Sequence, residues 1–395
     1  MSKRYSLGGV ISATNPFFVP DAPRINSVTA GNVLISVNFT APTNTGNSAI
    51  TSHIATARNS VTGVSTSNVA VDSPIIINGL TANNTHTVVI AAINSYGVGA
   101  TSSASDSATP FTPGEQLYMT PGTYSWVAPA NVTNVSVVAV GAGGSGGTSV
   151  NCCGVWVSGG GGSGGGLGYK NNYSVTPGVS YTVVVGLRGD SRIGCKNGGD
   201  SYFVSTAVVK GGGGPGTACY QYPCAGGTYT GDGGGNGGRA GQYAGPVNSG
   251  GGGGGAGGYT GAGGAGGTYI GCGSCIPATA GAGGGGGGGG RGSSSTNGAG
   301  GGGGVGLYGA GSNGAAGAIN GGGTGGGGAG SCGTAGTYSI SPLNAGGKGG
   351  NVGGGGGGTT NATCSPRQGT GGCGGIRIIW PGWARSFPST NTGIL

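Results

Sequence analysis

The ten cysteines are the residues of this chain best suited to covalent chemistry, and all of them follow residue 150. Their even number and close spacing favour disulfides that close short loops. The Cys272-Gly-Ser-Cys275 spacing is also that of half a zinc site, but His53 and His86 lie far away in sequence. We therefore expect disulfides, and no metal ion or cofactor. The candidate disulfide residues are Cys219, Cys224, Cys272, Cys275, Cys364 and Cys373.

The second half of the chain contains few acidic residues that could act as a pair of catalytic carboxylates. After residue 115 the acidic residues are Asp190, Asp200 and Asp232, and that stretch contains no histidine. Asp190 and Asp200 would cleave a glycosidic bond only if the fold held the two acids at a defined separation. Asp200 lies in a Gly-Asp-Ser turn, where a capping role is expected. The Gly-x-Gly-x-x-Gly matches follow from composition, since neither a helical pattern nor a Gly-Lys-Ser/Thr loop accompanies them. We expect no enzymatic activity.

Aromatic side chains are the stronger functional signal. They lie in or beside the segments that interrupt the glycine-rich second half, and not in periodic strands. Tyrosine and tryptophan offer a rigid apolar face with one polar end, which suits recognition of glycans and proteins. The alternative is that the rings cap the ends of a packed structure or fill gaps in it. The candidate recognition residues are Trp156, Tyr220, Tyr222, Tyr229, Tyr269, Ile270 and Tyr338, with Tyr243, Tyr259 and Tyr308 in the same aromatic set.

The net charge of +8 lies entirely in the second half, although only 6% of residues are charged. A positive field favours anionic partners, and the alternative is that it serves solubility. Nucleic acid is not expected, because no Lys/Arg cluster could follow a phosphate backbone. No apolar run is long enough for a membrane helix. The N-terminus lacks the apolar region of a secretory signal, so we expect synthesis in the cytoplasm without an export signal.

The first 110 residues read as a docking arm and a β-sandwich. Residues 1–20 are expected to form an arm, because Pro16–Pro20 is apolar and proline-bounded, and Tyr5, Phe17 and Phe18 are candidate docking residues. Residues 21–110 alternate with period two between turns at roughly ten-residue spacing, as in a β-sandwich. The stretch from Gly79 to Gly97 resembles the E–F corner and F strand of fibronectin type III domains. In this resemblance His86 takes the place of the corner tyrosine and is expected to be a corner or core residue.

The second half is a glycine-rich domain. All but ten of the 108 glycines follow residue 140. After a linker at 111–120, strands are predicted on both sides of the glycine tract, and the last of them is Ile376–Trp380. A disordered tail would not need to end in a strong strand. We expect a β frame at 121–210 and 374–395 around a bundle at 211–373, so the whole chain is predicted to be all-β with essentially no α-helix.

Glycine can be ordered without side-chain packing. Polyglycine adopts the left-handed helix of polyproline II, which has three residues per turn and rises about 3.1 Å per residue. Such a helix has no internal hydrogen bonds, so neighbouring helices must supply them and only bundles are stable. The run Gly283–Gly290 would span about 25 Å as one rod of such a bundle. Because cysteine-bearing loops interrupt the tract, we favour this ordered bundle over a featureless tail.

The frame residues resemble those of phage fibre proteins. The segments that carry this resemblance are Gly122-Thr-Tyr-Ser-Trp126, Gly198-Gly-Asp-Ser-Tyr-Phe203, Gly374-Gly-Ile-Arg-Ile-Ile-Trp380 and Arg385-Ser-Phe-Pro-Ser-Thr-Asn391. They are similar to glycine-rich domains in the tail and fibre proteins of phages, and the ending is similar to that in cyanobacterial phages. A related group, the tail-tip adhesins, carries receptor loops on packed polyglycine-II helices.

The resemblance implies a virion protein that attaches to the host. Other virion proteins would bind the N-terminus, and a host surface glycan or an outer-membrane protein would bind the loops, without insertion into a membrane. The alternative is a structural decoration of the capsid or tail that has no specific receptor. The sequence leaves the oligomeric state open, with a homotrimer as one arrangement.

Overall fold

The computed structural model divides the chain into two compact units, Met1–Pro113 and Gly114–Leu395. All regular elements among its described residues are strands, so the all-β prediction is confirmed. The ranges that the structure describes are 18–147, 150–152, 155–157, 159–190, 197–216, 225–242, 250–271, 274–283, 286–287, 289–290, 299–317, 337, 346–357 and 369–389.

The first unit is a sandwich of two antiparallel sheets. Its strands are β1 (Arg24–Gly31), β2 (Leu34–Thr40), β3 (Ile50–Asn59), β4 (Ser65–Ala70), β5 (Ile75–Asn78), β6 (His86–Asn94) and β7 (Gly97–Thr101). The sheets have the orders β1-β2-β5 and β4-β3-β6-β7. In β2 the buried Ile35, Val37 and Phe39 alternate with partly exposed residues, as expected for a strand with one face on a core. This is the fibronectin type III-like sandwich that the sequence predicts.

His86 occupies the corner of this sandwich. Its side chain is buried, and its Nδ1 lies 2.8 Å from the carbonyl oxygen of Asn84. A carbonyl only accepts, so Nδ1 carries the proton and donates it. A tyrosine corner bonds through its hydroxyl to the backbone a few residues upstream. The imidazole of His86 therefore makes the kind of contact that the tyrosine would make, as its predicted corner position requires.

The second unit begins earlier than predicted. Residues 114–118, expected to be linker, form β8 (Gly114–Tyr118), which pairs with β21 (Gly375–Trp380) near the other end of the chain. The pairing is non-local, and β8 is short and polar, which explains why the prediction was wrong. The other strands of this unit are β9 (Gly122–Val127), β10 (Asn134–Val140), β11 (Val150–Cys152), β12 (Val155–Val157), β13 (Leu167–Ser174), β14 (Ser180–Val185), β15 (Ser201–Phe203), β16 (Val209–Gly211), β17 (Tyr229–Thr230), β18 (Gly233–Gly235), β19 (Thr268–Gly271) and β20 (Ser274–Ile276).

Two five-stranded sheets frame the glycine-rich region, with the orders β18-β13-β10-β21-β8 and β17-β16-β15-β14-β9. Strand β10 shows why the first sheet is apolar on both faces. Val135 and Val137 join a core with Trp126 and Phe203, whereas Val138 packs in a second core on the opposite face. A strand buried on both sides reads as a continuous apolar run, and this one does.

The glycine-rich segments form extended rods that bond to one another through their backbones. In rod 159–166 the N–H groups donate in rotation to rods 238–242, 353–357 and 212–216, over 2.7–3.1 Å. The acceptor rod repeats every third residue, which is the period of a polyproline II-type helix. The donor and acceptor pairs are Gly161 to Gly241, Gly162 to Gly356, Ser163 to Pro215, Gly164 to Gly238, Gly165 to Gly353 and Gly166 to Gly212.

Rod 159–166 is also surrounded by donors. Its carbonyls accept from rod 141–147, from rod 250–258 and from Gly227. Three acceptor rods and three donor segments make six neighbours, so the rod is packed hexagonally. Close packing requires glycine, because a Cβ built on Gly143 would fall closer than 3.0 Å to the carbonyl of a neighbouring rod. The predicted polyglycine-II bundle is therefore present.

The bundle differs from the prediction in two ways. It includes rods 141–147 and 159–166, which were assigned to the β frame, because β10 continues directly into a rod and β13 continues directly from one. The run Gly283–Gly290 is not a single rod. Gly283 has a φ of +69° and its carbonyl accepts from Thr260 N–H in a turn. Rod boundaries depend on which segments become neighbours, and run length does not specify that.

Candidate functional site

The connections between rods meet at one end of the bundle. We call it the loop end, where rod 141–147 ends, rod 159–166 begins and Gly147 N–H donates to Gly160. Bonds from Gly251 to Gly159, from Gly252 to Gly267 and from Gly146 to Gly369 place three more rod termini at this level. The flanking described residues show that nine connecting segments start and finish here: 148–158, 191–196, 217–224, 243–249, 268–276, 291–298, 318–336, 338–345 and 358–368.

The opposite end, which we call the sheet end, is different. There β10, β13 and β21 join their rods, and the connections between rods include tight turns such as Tyr259–Thr260. Nine of the ten cysteines belong to loop-end segments, and Cys373 lies in a rod. Most of the connecting segments that are rich in side chains other than glycine therefore begin and end at one end of the bundle of glycine rods.

Two hairpins carry predicted recognition residues at the loop end. In the β11–β12 hairpin Trp156 lies opposite Asn151, and in the β19–β20 hairpin Tyr269 lies opposite Cys275. Ile270 lies on β19 at a register shift between Tyr269 and Gly271. The structure therefore brings Trp156, Tyr269 and Ile270 to the same end of the bundle.

Tyr229 does not join them. It lies on β17 opposite Gly211, at the sheet end, and is 39% exposed. Tyr259 and Tyr308 are buried, and the hydroxyl of Tyr259 donates to the Gly306 carbonyl at 3.1 Å. Recognition was therefore the wrong interpretation for Tyr259 and Tyr308, which close the sheet end of the bundle. Their spacing in sequence does not distinguish a ring that closes a rod end from a ring in a loop.

Several predicted site residues lie outside the described residues: Tyr220, Tyr222, Tyr243, Tyr338, Cys219, Cys224, Cys272, Cys364, Tyr5 and Phe17. Among the described residues, Cys373 is a half-buried free thiol. Phe18 is 47% exposed, its ring lies 5.2 Å from that of Tyr96, and its carbonyl accepts from the Asn94 side chain at 2.7 Å. The disulfide predicted for Cys373 is therefore not formed in the structure, whereas the other disulfide assignments and the docking assignment remain predictions.

Asp200 and Asp232 are engaged in ion pairs and backbone contacts at the β frame. Asp200 accepts the N–H of Gly213 at 2.8 Å, outside its own turn, and lies 3.8 Å from Lys210 Nζ. Asp232 accepts from Lys170 Nζ at 2.5 Å. Burial alone would raise the pKa of Asp232, but the bond from Lys170, the N–H of Asn171 and the Lys170 charge hold that pKa below its ordinary value.

Glu115 connects β8, β21 and the C-terminal segment. Its carboxylate pairs with the fully buried Arg377 and lies 3.7 Å from Arg385 Nη2. Arg377 also lies 4.2 Å above the ring of Tyr308. Burial and the Arg377 charge lower the pKa of Arg385, and Glu115 opposes that change. Replacing such a pair by apolar side chains is often neutral for stability, whereas removing one partner is strongly destabilising because it leaves an uncompensated buried charge.

No group of three or more His, Cys, Asp or Glu among the described residues could hold a metal ion. None of the described residues belongs to a helix long and apolar enough to cross a membrane.

Comparison with known proteins identifies no family. No protein-family model matches the chain, and no curated protein matches it. Among solved structures it is similar to the twitchin kinase region from C. elegans, with 18% identity, and to titin domains A168–A170, with 21% identity. Each likeness covers 24% of this chain, and 17% and 32% of those chains respectively. Titin kinase with its flanking domains shows 13% identity over 45% of this chain and 31% of that one.

All three similarities have a TM-score of 0.22, which is too low to support a structural relationship. The chain spans less than a third of each of these structures. The fibronectin type III-like fold therefore rests on the strand pairing described above.

Proposed function

We propose that this chain is a phage virion fibre or tail-tip adhesin that binds the host cell surface through the loop end. The observation that carries the proposal is that nine connecting segments start and finish at that end, including the hairpins with Trp156 and Tyr269. A rigid scaffold that gathers variable segments on one surface suits recognition. Binding is non-covalent, and no reaction is catalysed.

The other parts of the chain have supporting roles in this proposal. The arm at 1–20 attaches to other virion proteins, and the sandwich at 21–110 acts as a spacer. The receptor is a glycan or an outer-membrane protein of the host, and the protein acts on the virion without entering a membrane. The phage assignment is supported by the frame residues that resemble phage fibre proteins.

Cell binding by the full chain tests the proposal. We would label the protein and measure its binding to a panel of bacterial strains that includes cyanobacteria. A variant with all nine loop-end segments replaced by glycine-serine of equal length should lose binding. The control replaces the exposed turn 61–63 of the first unit in the same way and should bind like wild type. Thermal unfolding would confirm that both variants remain folded.

Two results would contradict the proposal. If the variant of all nine segments binds cells as well as the control, the loop end is not the binding surface. If the wild-type chain binds no strain and imaging places it across the capsid surface, the protein is a structural decoration instead.

A further inference from the structure

Two outer rods of the bundle form a groove along its side. Rod 236–242, which includes the segment 238–242 described above, lies beside rod 261–268, whose N–H groups donate to two of its carbonyls over 2.9 Å. Rod 250–258 bonds to both of them on their inner side. In hexagonal packing two neighbouring rods share a second common neighbour, which here would lie on the outer side. We call that outer position the side groove.

The side groove is lined by backbone groups suited to a further rod. The N–H groups of Asn236 and Arg239 donate to no described residue, and no described residue donates to the carbonyls of Gly263 and Gly266. In rod 159–166 each of the three residues per turn directs its N–H at one neighbour and its carbonyl at another. The same order, applied to the two outer rods, directs these four groups into the side groove. The two donors, and likewise the two acceptors, are about 9 Å apart along their rod.

Two alanine methyl groups fill this groove. A Cβ built on an interior glycine points at the rod that donates to the carbonyl of the next residue. On Gly161 it would fall closer than 3.0 Å to rod 250–258, which donates to the Gly162 carbonyl. Ala262 and Ala265 directly precede the two groove carbonyls, so their Cβ atoms occupy the place where a further rod would lie.

The neighbouring rod shows the same division between inner and outer positions. In rod 236–242 the exposed residues are Asn236 and Arg239, three residues apart. Gly238 and Gly241 are buried, and a Cβ on either would fall closer than 3.0 Å to a carbonyl of rod 261–268. Side chains on these rods therefore face outward once per turn, whereas the positions that face other rods are glycine.

We propose that Ala262 and Ala265 close the bundle at the side groove and keep the glycine rods of a second copy of this chain from adding to it. Exposed backbone donors and acceptors on a rod are a template for association, as those of an edge β-strand are. A partner that packs at the hydrogen-bonding distances of the bundle must itself be rich in glycine, and a second copy meets that requirement. This closure concerns the side of the bundle and holds whatever the loop end binds.

Ala262→Gly with Ala265→Gly tests this role, because it removes two methyl groups and no charge. In sedimentation velocity the variant should self-associate with an association constant at least about tenfold larger than that of wild type, since four backbone groups gain partners. The matched control, Ala41→Gly with Ala49→Gly, removes two exposed methyl groups from the first unit and should sediment like wild type. Ala262→Ser with Ala265→Ser keeps both Cβ atoms and should also sediment like wild type.

Amide exchange of the full chain distinguishes ordered addition of rods from aggregation. In wild type the N–H groups of Asn236 and Arg239 should exchange rapidly, whereas those of Gly238 and Gly241, which are bonded to rod 250–258, should be protected. In the associated glycine variant the Asn236 and Arg239 amides should become protected as well.

Four results would overturn the inference. Equal sedimentation of the glycine and serine variants would show that the methyl groups do not close the groove. Protection of the Asn236 and Arg239 amides in wild type would show that the groove is already filled, and their rapid exchange in an associated glycine variant would show that association occurs elsewhere. Lost protection of Gly238 and Gly241 in the glycine variant would mean that the two alanines stabilise their own rod instead.

Discussion

Replacing Gly143 by alanine should destabilise the second unit more than the same replacement at a glycine whose Cβ position has no neighbouring atoms, such as Gly178. Gly143 N–H donates to the Gly372 carbonyl at 2.9 Å, and its carbonyl accepts from Gly189 at 2.9 Å. The new Cβ would meet the carbonyl of Gly354, closer than 3.0 Å, where ordinary contact begins at 3.4 Å. That carbonyl already accepts from Gly372 at 2.7 Å. Rods 141–147 and 353–357 must therefore separate.

The cost follows from the hydrogen bonds that separation breaks. Each buried amide group left without a partner costs about 1–3 kcal/mol. Two or three such groups give a loss of about 3–6 kcal/mol, which lowers the Tm of a unit of this size by roughly 10 °C.

Calorimetry of the full chain measures this change, with Gly178→Ala as the matched control. Gly178 has a φ of +79° and no heavy atom within 4 Å of its Cβ position. Alanine there costs only the left-handed backbone conformation, about 1–2 kcal/mol. If the two variants unfold within a few degrees of each other, the rods are not in close contact and the packing argument is refuted.

Three further predictions concern the frame and the sandwich. Asp232→Asn should lower stability at neutral pH, and the difference from wild type should vanish as pH falls below the depressed pKa of Asp232; denaturation at a series of pH values checks this, and a constant difference would contradict it. The sign follows because a carboxylate whose pKa is lowered by folding contributes its full stability above the unfolded pKa and loses it as pH falls through the folded pKa. Phe203→Ala, at a fully buried position, should cost about 3–5 kcal/mol in urea unfolding. His86→Ala should lower the unfolding free energy of the first unit by about 1–3 kcal/mol in the same assay, because the Asn84 contact is lost. An unchanged unfolding free energy would show that His86 does not stabilise the corner.

The strands were the predictable part of the fold. The alternation in β2 and the apolar run of β21 are local signals, and both strands are present. Strand β8 was not predicted, because its evidence is the partner strand more than 250 residues away. The Glu115–Arg377 pair could not be found for the same reason.

The candidate site was predictable only as a list of segments. Composition identifies the interruptions in the glycine tract, and the polyproline II conformation that polyglycine adopts predicts rods. Whether two rods run parallel or antiparallel depends on non-local bonds, such as those from Gly251 to Gly159 and from Gly252 to Gly267. Those bonds decide that the Trp156 and Tyr269 hairpins share an end and that Tyr229 lies at the other.

The central claim is that glycine forms a rigid, hydrogen-bonded scaffold here, and amide hydrogen exchange on the full chain tests it most directly. The interior rod 159–166 has all its N–H groups from Gly161 to Gly166 bonded to neighbouring rods. Their exchange should be slowed at least about a thousandfold, like that of β10, since opening requires the bundle to separate. Exchange of these amides within seconds, with β10 still protected, would mean that the tract is not a bundle and would contradict the account.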